Sequence, residues 1–329
     1  IFEPYENVGY MQLTQKADSH LAQLIEQDES YKQQADNYNS AFEKWHQFMR
    51  EELRTLGVGS VPRKAIIRWS DEILRIFKSS RSSVEAYAVY DELMTYWNEV
   101  TMQDDLYLIS RDGWKVTVEL PTNKKGEVKK TYSYEDLTCD LVPSSILVNR
   151  YFAKEQAVVT NTRQLIDAEQ VAMETITEEY ADAFEDIESD KVNAKFCKAV
   201  GVLLKEGKKH PADNADYIPV WEDFLNHFKE QEQLKKELKE KVAQLTANVL
   251  KKYKALTEEE IRTMVFDDKW MPDMQSRLQA LMTAEHQNII TSITALNERY
   301  KVTLPEMEAD VNRYRDIVKD YLQEMGVEF

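Results

Sequence analysis

Apolar residues in this 329-residue chain recur at steps of three and four over long stretches, the spacing that gathers them on one face of an α-helix. Between residues 41 and 100 three such stretches are separated by Gly57-Val58-Gly59-Ser60-Val61-Pro62 and Lys78-Ser79-Ser80-Arg81-Ser82-Ser83. In the third, Tyr87, Tyr90, Leu93, Met94 and Trp97 form the expected core face. The pattern then shifts. Leu106-Tyr107-Leu108-Ile109 and Trp114 to Leu120 flank Asp112-Gly113, a pair that supplies the positive φ of a tight turn. A small β-hairpin is predicted within about 105–134, with room for a third strand at 130–134.

From Tyr151 the helical period returns and lengthens. Phe152, Val159, Ile166, Met173, Tyr180 and Ile187 belong to a seam stepping by four and three, interrupted by polar Gln156, Thr162 and Glu169. It predicts a helix on the order of 55 Å long at ~1.5 Å per residue. A loop is expected around Gly201, Gly207, Pro211 and Pro219, then a helix through Leu238, Val242, Leu245 and Val249, and another through Leu278, Leu281, Ile289, Ile293, Leu296 and Tyr300. The last stripe, Met307, Val311, Tyr314, Val318, Tyr321 and Met325, alternates four and three without a break, opened by Pro305 and closed by Gly326. The predicted fold is mainly α: a long-helix bundle with coiled-coil-like helices and one small hairpin or sheet. Two regions are expected, 1–150 as a helical layer bearing the hairpin and 151–329 as a long-helix bundle for subunit docking.

Composition agrees with this pattern, since 8 Gly and 8 Pro are too few for the frequent turns of an all-β fold. The net charge of −17 changes the functional picture. Both halves share it, with 18 basic against 24 acidic residues up to Arg150 and 24 against 35 beyond. Such a surface repels a phosphate backbone, whose affinity comes from Lys and Arg releasing counterions. The run Lys124-Lys125 and Lys129-Lys130 is the local exception and reads as a solvated turn. Cys139 and Cys197 stand apart with no CxxC, which fits a reducing cytoplasm and offers no metal or disulfide framework. No run approaches the roughly 20 apolar residues of a membrane span. The start, Ile1-Phe2-Glu3-Pro4, has neither the character of a signal peptide nor an initiator Met, and a longer parent is expected.

Candidate chemistry is sparse. Asp104 and Asp105 beside Glu99 carry the oxygen ligands Mg²⁺ prefers, but adjacent strand residues face opposite ways, so a junction role is the better reading. Asp267-Asp268-Lys269-Trp270 contains the Asp-x-Lys spacing of some nucleases, without a further acidic strand ligand. It follows a capping box, Thr257 with Glu260, and reads as a corner plugged by Trp270. His20, His46, His210, His227 and His286 make no i, i+4 pair, and no nucleophile elbow is visible. Gly57-Val58-Gly59 lacks the third glycine and preceding strand of a nucleotide loop. Three readings follow: an interaction module, a stand-alone coiled-coil scaffold, and a metal-dependent nuclease, with the module favoured.

Three stretches carry a family likeness. They are Leu93-Met94-Thr95-Tyr96-Trp97 through Met102 to Ile109 with Asp112-Gly113-Trp114; Leu141-Val142-Pro143 through Arg150 to Gln156; and Leu256 to Ile261 through Asp267 to Trp270. In order and rough spacing they resemble the C-terminal region of the modification (M) subunit of type I restriction-modification systems, a DNA adenine N6-methyltransferase. Glu298-Arg299-Tyr300 before Leu304-Pro305 looks like that family's last inter-helix loop, and Gly9 to Thr14 like the strand after its catalytic domain. The likeness spans roughly 85–329.

The resemblance implies that two M subunits flank one DNA-specificity (S) subunit, support the restriction (R) subunit, and pack C-terminal helices on S. It implies S-adenosylmethionine as the parent's cofactor and DNA contact made mainly through the complex. The family's S-adenosylmethionine loop and its Asn-Pro-Pro-Tyr/Phe motif do not occur in this chain, where none of the 8 prolines forms a pair. No catalytic, cofactor or metal residue is therefore assigned in this segment. Val311, Tyr314, Val318, Tyr321 and Met325 are assigned as the partner-docking face. Trp97, Asp104, Asp105, Trp114, Asp267, Asp268 and Trp270 are assigned as a structural junction.

Overall fold

The computed structural model describes residues 2–5, 10–99, 102–187, 189, 191–302 and 304–326. The protein is mainly α, and it divides into two compact units: Ile1–Gly113 with Trp270–Phe329, and Trp114–Lys269. The division does not fall at residue 150. The chain leaves the first unit after one stretch of helices and returns to it for the last two.

In the first unit, β1 (Phe2–Tyr5) and β2 (Tyr10–Leu13) pair antiparallel with Phe2 opposite Leu13 and Tyr5 opposite Tyr10. The strand expected near Gly9 to Thr14 is thus β2; Gly9 itself lies outside the described residues. Five helices follow: α1 (Gln15–Gln27), α2 (Glu29–Thr55), α3 (Pro62–Ser79), α4 (Ala86–Glu99) and α5 (Met102–Asp112). Asp28 caps α2, its carboxylate accepting from the Ser30 and Tyr31 amides at 2.9 and 3.1 Å. Pro62 opens α3, where a missing N–H costs nothing. Val89, Leu93, Tyr96 and Trp97 form the buried face of α4. The expected face is rotated, so that Tyr87 points outward, 58% exposed, under the Lys78 ammonium.

The predicted hairpin does not form. Residues 106–109 lie within α5, because Met102, Asp105, Leu106 and Ile109 are buried together and that spacing is helical. Asp104 and Asp105 in its first turn favour the helix through its dipole. Gly113, at φ +77°, ends the helix instead of turning a hairpin, its N–H donating to the Ile109 carbonyl at 2.9 Å. The third strand at 130–134 is likewise absent; Tyr134–Asp136 is a turn of 3₁₀-helix. Isolated bridges, Glu119 with Thr138 and Thr122 with Val128, are the extended pairing in that stretch.

The second unit is built on α6 (Ser144–Tyr151), α7 (Ala153–Glu179), α8 (Ala194–Gly207), α9 (Tyr217–Lys254) and α10 (Glu258–Thr263). Helix α7 stops short of the expected Ile187, spanning about 40 Å. The chain tightens into Ala181–Phe184, which drops Ala183 and Phe184 into a core with Met173, Phe196, Val200, Trp221 and Phe224. There the Trp221 indole donates to the Ala183 carbonyl at 2.8 Å. The expected loop around Gly201 to Pro219 is present but shorter, running over 208–216 with Pro211 inside it, while both of its ends are helical. Gly207 is the last residue of α8, and glycine fits there because a Cβ would sit 2.7 Å from the Trp221 ring; Pro219 occupies the first turn of α9.

Helices α7 and α9 pack antiparallel along the interrupted seam, and two of its polar members, Thr162 and Glu169, are paired across it, as is neighbouring Gln170. Thr162 accepts from Lys241 at 3.2 Å, Glu169 meets His227 at 2.6 Å, and Gln231 donates to Gln170 at 3.0 Å. Paired polar positions of this kind fix the register of a helix pair that apolar contacts alone would let slide.

The first unit closes with α11 (Met271–Arg299) and α12 (Leu304–Glu324). Burial fades along α11, from Met274 and Leu278 in the core to Leu296 at 51% exposed. Among its described residues, α12 has none buried. No helix of the described residues is long and apolar enough to cross a membrane.

Candidate functional site: a hydrogen-bonded junction and an uncovered seam

In the first unit the junction is centred on Trp270, fully buried, whose indole N–H donates to the Asp105 carboxylate at 2.8 Å. The helix places that carboxylate: Asp105 is 1% exposed while Asp104, one residue earlier and about 100° around α5, faces solvent. The two carboxylates therefore diverge on a helix, where opposite strand faces had been expected. Trp270 lies 6.2 Å from Trp69, which meets Trp97 edge-on at 6.4 Å. Tyr38 donates to the Leu278 carbonyl at 2.8 Å, tying α2 to α11, and Arg277 pairs with Glu92 at 3.3 Å while covering the Tyr96 ring. Burial raises the pKa of the Tyr38 and Tyr96 hydroxyls, which keeps them neutral.

In the second unit the remaining junction residues meet a second set of polar locks. Arg150 pairs with Asp268 at 2.5 Å. Tyr151 donates to Glu260 at 3.0 Å, and Lys252 reaches the same carboxylate oxygen at 2.6 Å while lying 4.1 Å over the Tyr151 ring. The other Glu260 oxygen closes the capping box on the Thr257 amide at 2.9 Å. Lys269 donates to the carbonyls of Asp140 and Leu141, and Tyr253 to that of Val142 at 2.7 Å. Asp267 is half-buried, and Trp114 lies under the Arg262 guanidinium at 5.2 Å. The stretches 141–156 and 256–269, far apart in sequence, thus share one hydrogen-bonded network.

These groups neutralise one another, so the arrangement locks helices together and presents no free acid, base or nucleophile from within the network. Lys252 and Thr257 hold the Glu260 carboxyl down to about 2 from an ordinary 4.5. Burial pushes the Cys139 and Cys197 thiols up, which suppresses the reactive thiolate. Among the described residues, no three His, Cys, Asp or Glu side chains gather as a metal site. Sequence reading missed Lys252, Tyr253 and Arg262, which belong to ordinary-looking helical segments. The capping box could have pointed to Lys252 alone, as a cation eight residues before Glu260; Tyr253 and Arg262 bond elsewhere and left no signal.

The second feature is the exposed face of α12. Its seam is solvent-facing throughout, from Met307 at 46% to Tyr321 at 63% and Met325 at 77% exposed. Val311, Tyr314 and Val318 are each more than half exposed. Contiguous apolar stripes of this length are uncommon on the surface of isolated monomers. No family model matches the chain, and no curated protein or solved structure matches it at a significant level.

The neighbouring carboxylates give a direct test of the junction. Asp105→Ala is expected to cost about 2–4 kcal/mol, by opening a cavity and orphaning the Trp270 N–H, whereas Asp104→Ala should cost less than about 0.5 kcal/mol; urea denaturation midpoints compare them. A second expectation concerns pH. Glu260 is depressed in the folded state, so its contribution is present above its unfolded value of 4.5 and is lost as pH falls toward about 2. Glu260→Gln should lower stability at neutral pH and flatten acid unfolding across that window, followed by far-UV circular dichroism.

Proposed function

We propose that this chain is an assembly segment: the C-terminal region of a type I modification subunit, which docks a DNA adenine N6-methyltransferase onto its DNA-specificity subunit. The observation that carries the reading is α12, an amphipathic helix of 21 residues with an exposed heptad seam and no buried described residue. A helix in a protein draws most of its stability from packing its apolar face, so such a seam calls for a partner helix. The family likeness supplies the partner's identity, and two of the stretches that carry it, 141–156 and 256–269, meet in one hydrogen-bonded network.

The parent would transfer a methyl group from S-adenosylmethionine to adenine N6 at the site its specificity subunit selects. This segment contributes attachment, not chemistry. A second modification subunit and the restriction subunit complete the proposed assembly, a cytoplasmic one. The acidic surface suits docking better than phosphate contact, so DNA is reached through the complex. A stand-alone coiled-coil scaffold would have to self-associate through α12, because the α7 seam is already occupied by α9.

The test is co-purification. Tyr314→Glu together with Tyr321→Glu is expected to reduce recovery of the specificity subunit at least about tenfold while helix content, read by circular dichroism, stays unchanged. Full recovery with both charges in place would overturn the assignment of this face.

A further inference from the structure

The heptad frame of α12 also specifies what its partner looks like. With Val311 and Val318 at a positions and Tyr314 and Tyr321 at d positions, the flanking e and g positions are Glu308, Asp310, Arg315, Ile317, Leu322 and Glu324. Three of these six are acidic and one is basic. Asp310 is bound by Arg313 of its own helix at 2.9 Å, and both side chains remain more than half exposed. Ile317, 41% exposed, and half-buried Leu322 widen the seam in its C-terminal half. The helix is therefore acidic beside its seam at Glu308 and Asp310, basic at Arg315, apolar at Ile317 and Leu322, and acidic again at Glu324 in its last turn, a net excess of two negative charges.

We infer that the occupant of this seam is an amphipathic helix of about three heptads from a different protein. It carries basic residues beside its own apolar stripe and small residues opposite Tyr314 and Tyr321. Flanking charges set partner choice in helix pairs, and the chain's net charge of −17 adds a long-range field that steers a basic partner in. A second copy of this chain fits less well. It would bring the same net charge, and in parallel register it would set Tyr314 against Tyr314 and Tyr321 against Tyr321, where two bulky rings compete for one layer. The inference deepens the assembly reading and rests on it for the claim that α12 docks at all.

Two synthetic three-heptad helical peptides test it, identical in their apolar stripe and differing only in Lys or Glu at every flanking position. Each is titrated into the full chain at low salt and followed by fluorescence anisotropy. The Lys peptide should bind about tenfold or more tighter than the Glu peptide, with the gap narrowing at high salt. Tyr314→Glu with Tyr321→Glu should weaken the Lys peptide even though it adds negative charge, which separates seam docking from general attraction to an acidic protein. Equal affinities, a tighter Glu peptide, or undiminished binding to the double variant would each overturn the inference. So would sedimentation of the chain as a dimer that the double variant abolishes. The peptides involve no specificity subunit, so a failure of co-purification and a failure of charge preference are read independently.

Discussion

The constraint on which this structure turns is that a long helix with one apolar stripe must bury it. Burying a Leu, Val or Phe side chain is worth about 1.5–3 kcal/mol, so a stripe of six left in water forgoes a sum comparable to a domain's whole net stability. Helices α2 to α5 and the start of α11 meet the constraint around Trp45, Trp69, Trp97 and Trp270. Helices α7 and α9 meet it against each other and, near Phe224, with α8. Among the described residues helix α12 leaves its stripe uncovered, and the docking proposal rests on that.

Polar contacts do a different job in both units. Apolar packing tolerates sliding, whereas Glu169 with His227 and Gln170 with Gln231 are satisfied in only one register of α7 on α9. The Asp105 carboxylate performs the same service for Trp270. A buried carboxylate is costly unless it is hydrogen-bonded, so the Asp105–Trp270 contact admits little movement of α5 against the start of α11. In the second unit, Glu260 joins the ends of α6 and α9 to the start of α10 through Tyr151, Lys252 and Thr257. Two well-located frames result, each specified by a few directional bonds over an apolar core.

Much of this was legible in the chain. The helical stripes, the capping box at Thr257, Trp270 as a buried plug and the uninterrupted C-terminal seam all follow from periodicity and residue type. What misled was local chemistry that two structures share. Asp112-Gly113 supplies a positive φ, which ends a helix as readily as it turns a hairpin, and the run 106–109 is too short for its period to decide. Gly207 and Pro219 signalled a loop by residue type, yet one admits the Trp221 ring and the other occupies a helix's first turn. Tyr151 as a partner of Glu260 was illegible because the two lie 109 positions apart, and pairing at that range is set by the fold.

Hydrogen exchange on the chain alone tests the uncovered seam most directly. Opening free energies range from near zero for unsupported segments to the global value for packed helices. The account predicts that the amides of α12 exchange orders of magnitude faster than those of α9 around Leu245 and Val249, and slow markedly when the specificity subunit is added. Protection of α12 equal to that of α9 in the chain alone would mean the seam is already buried, and would contradict the account.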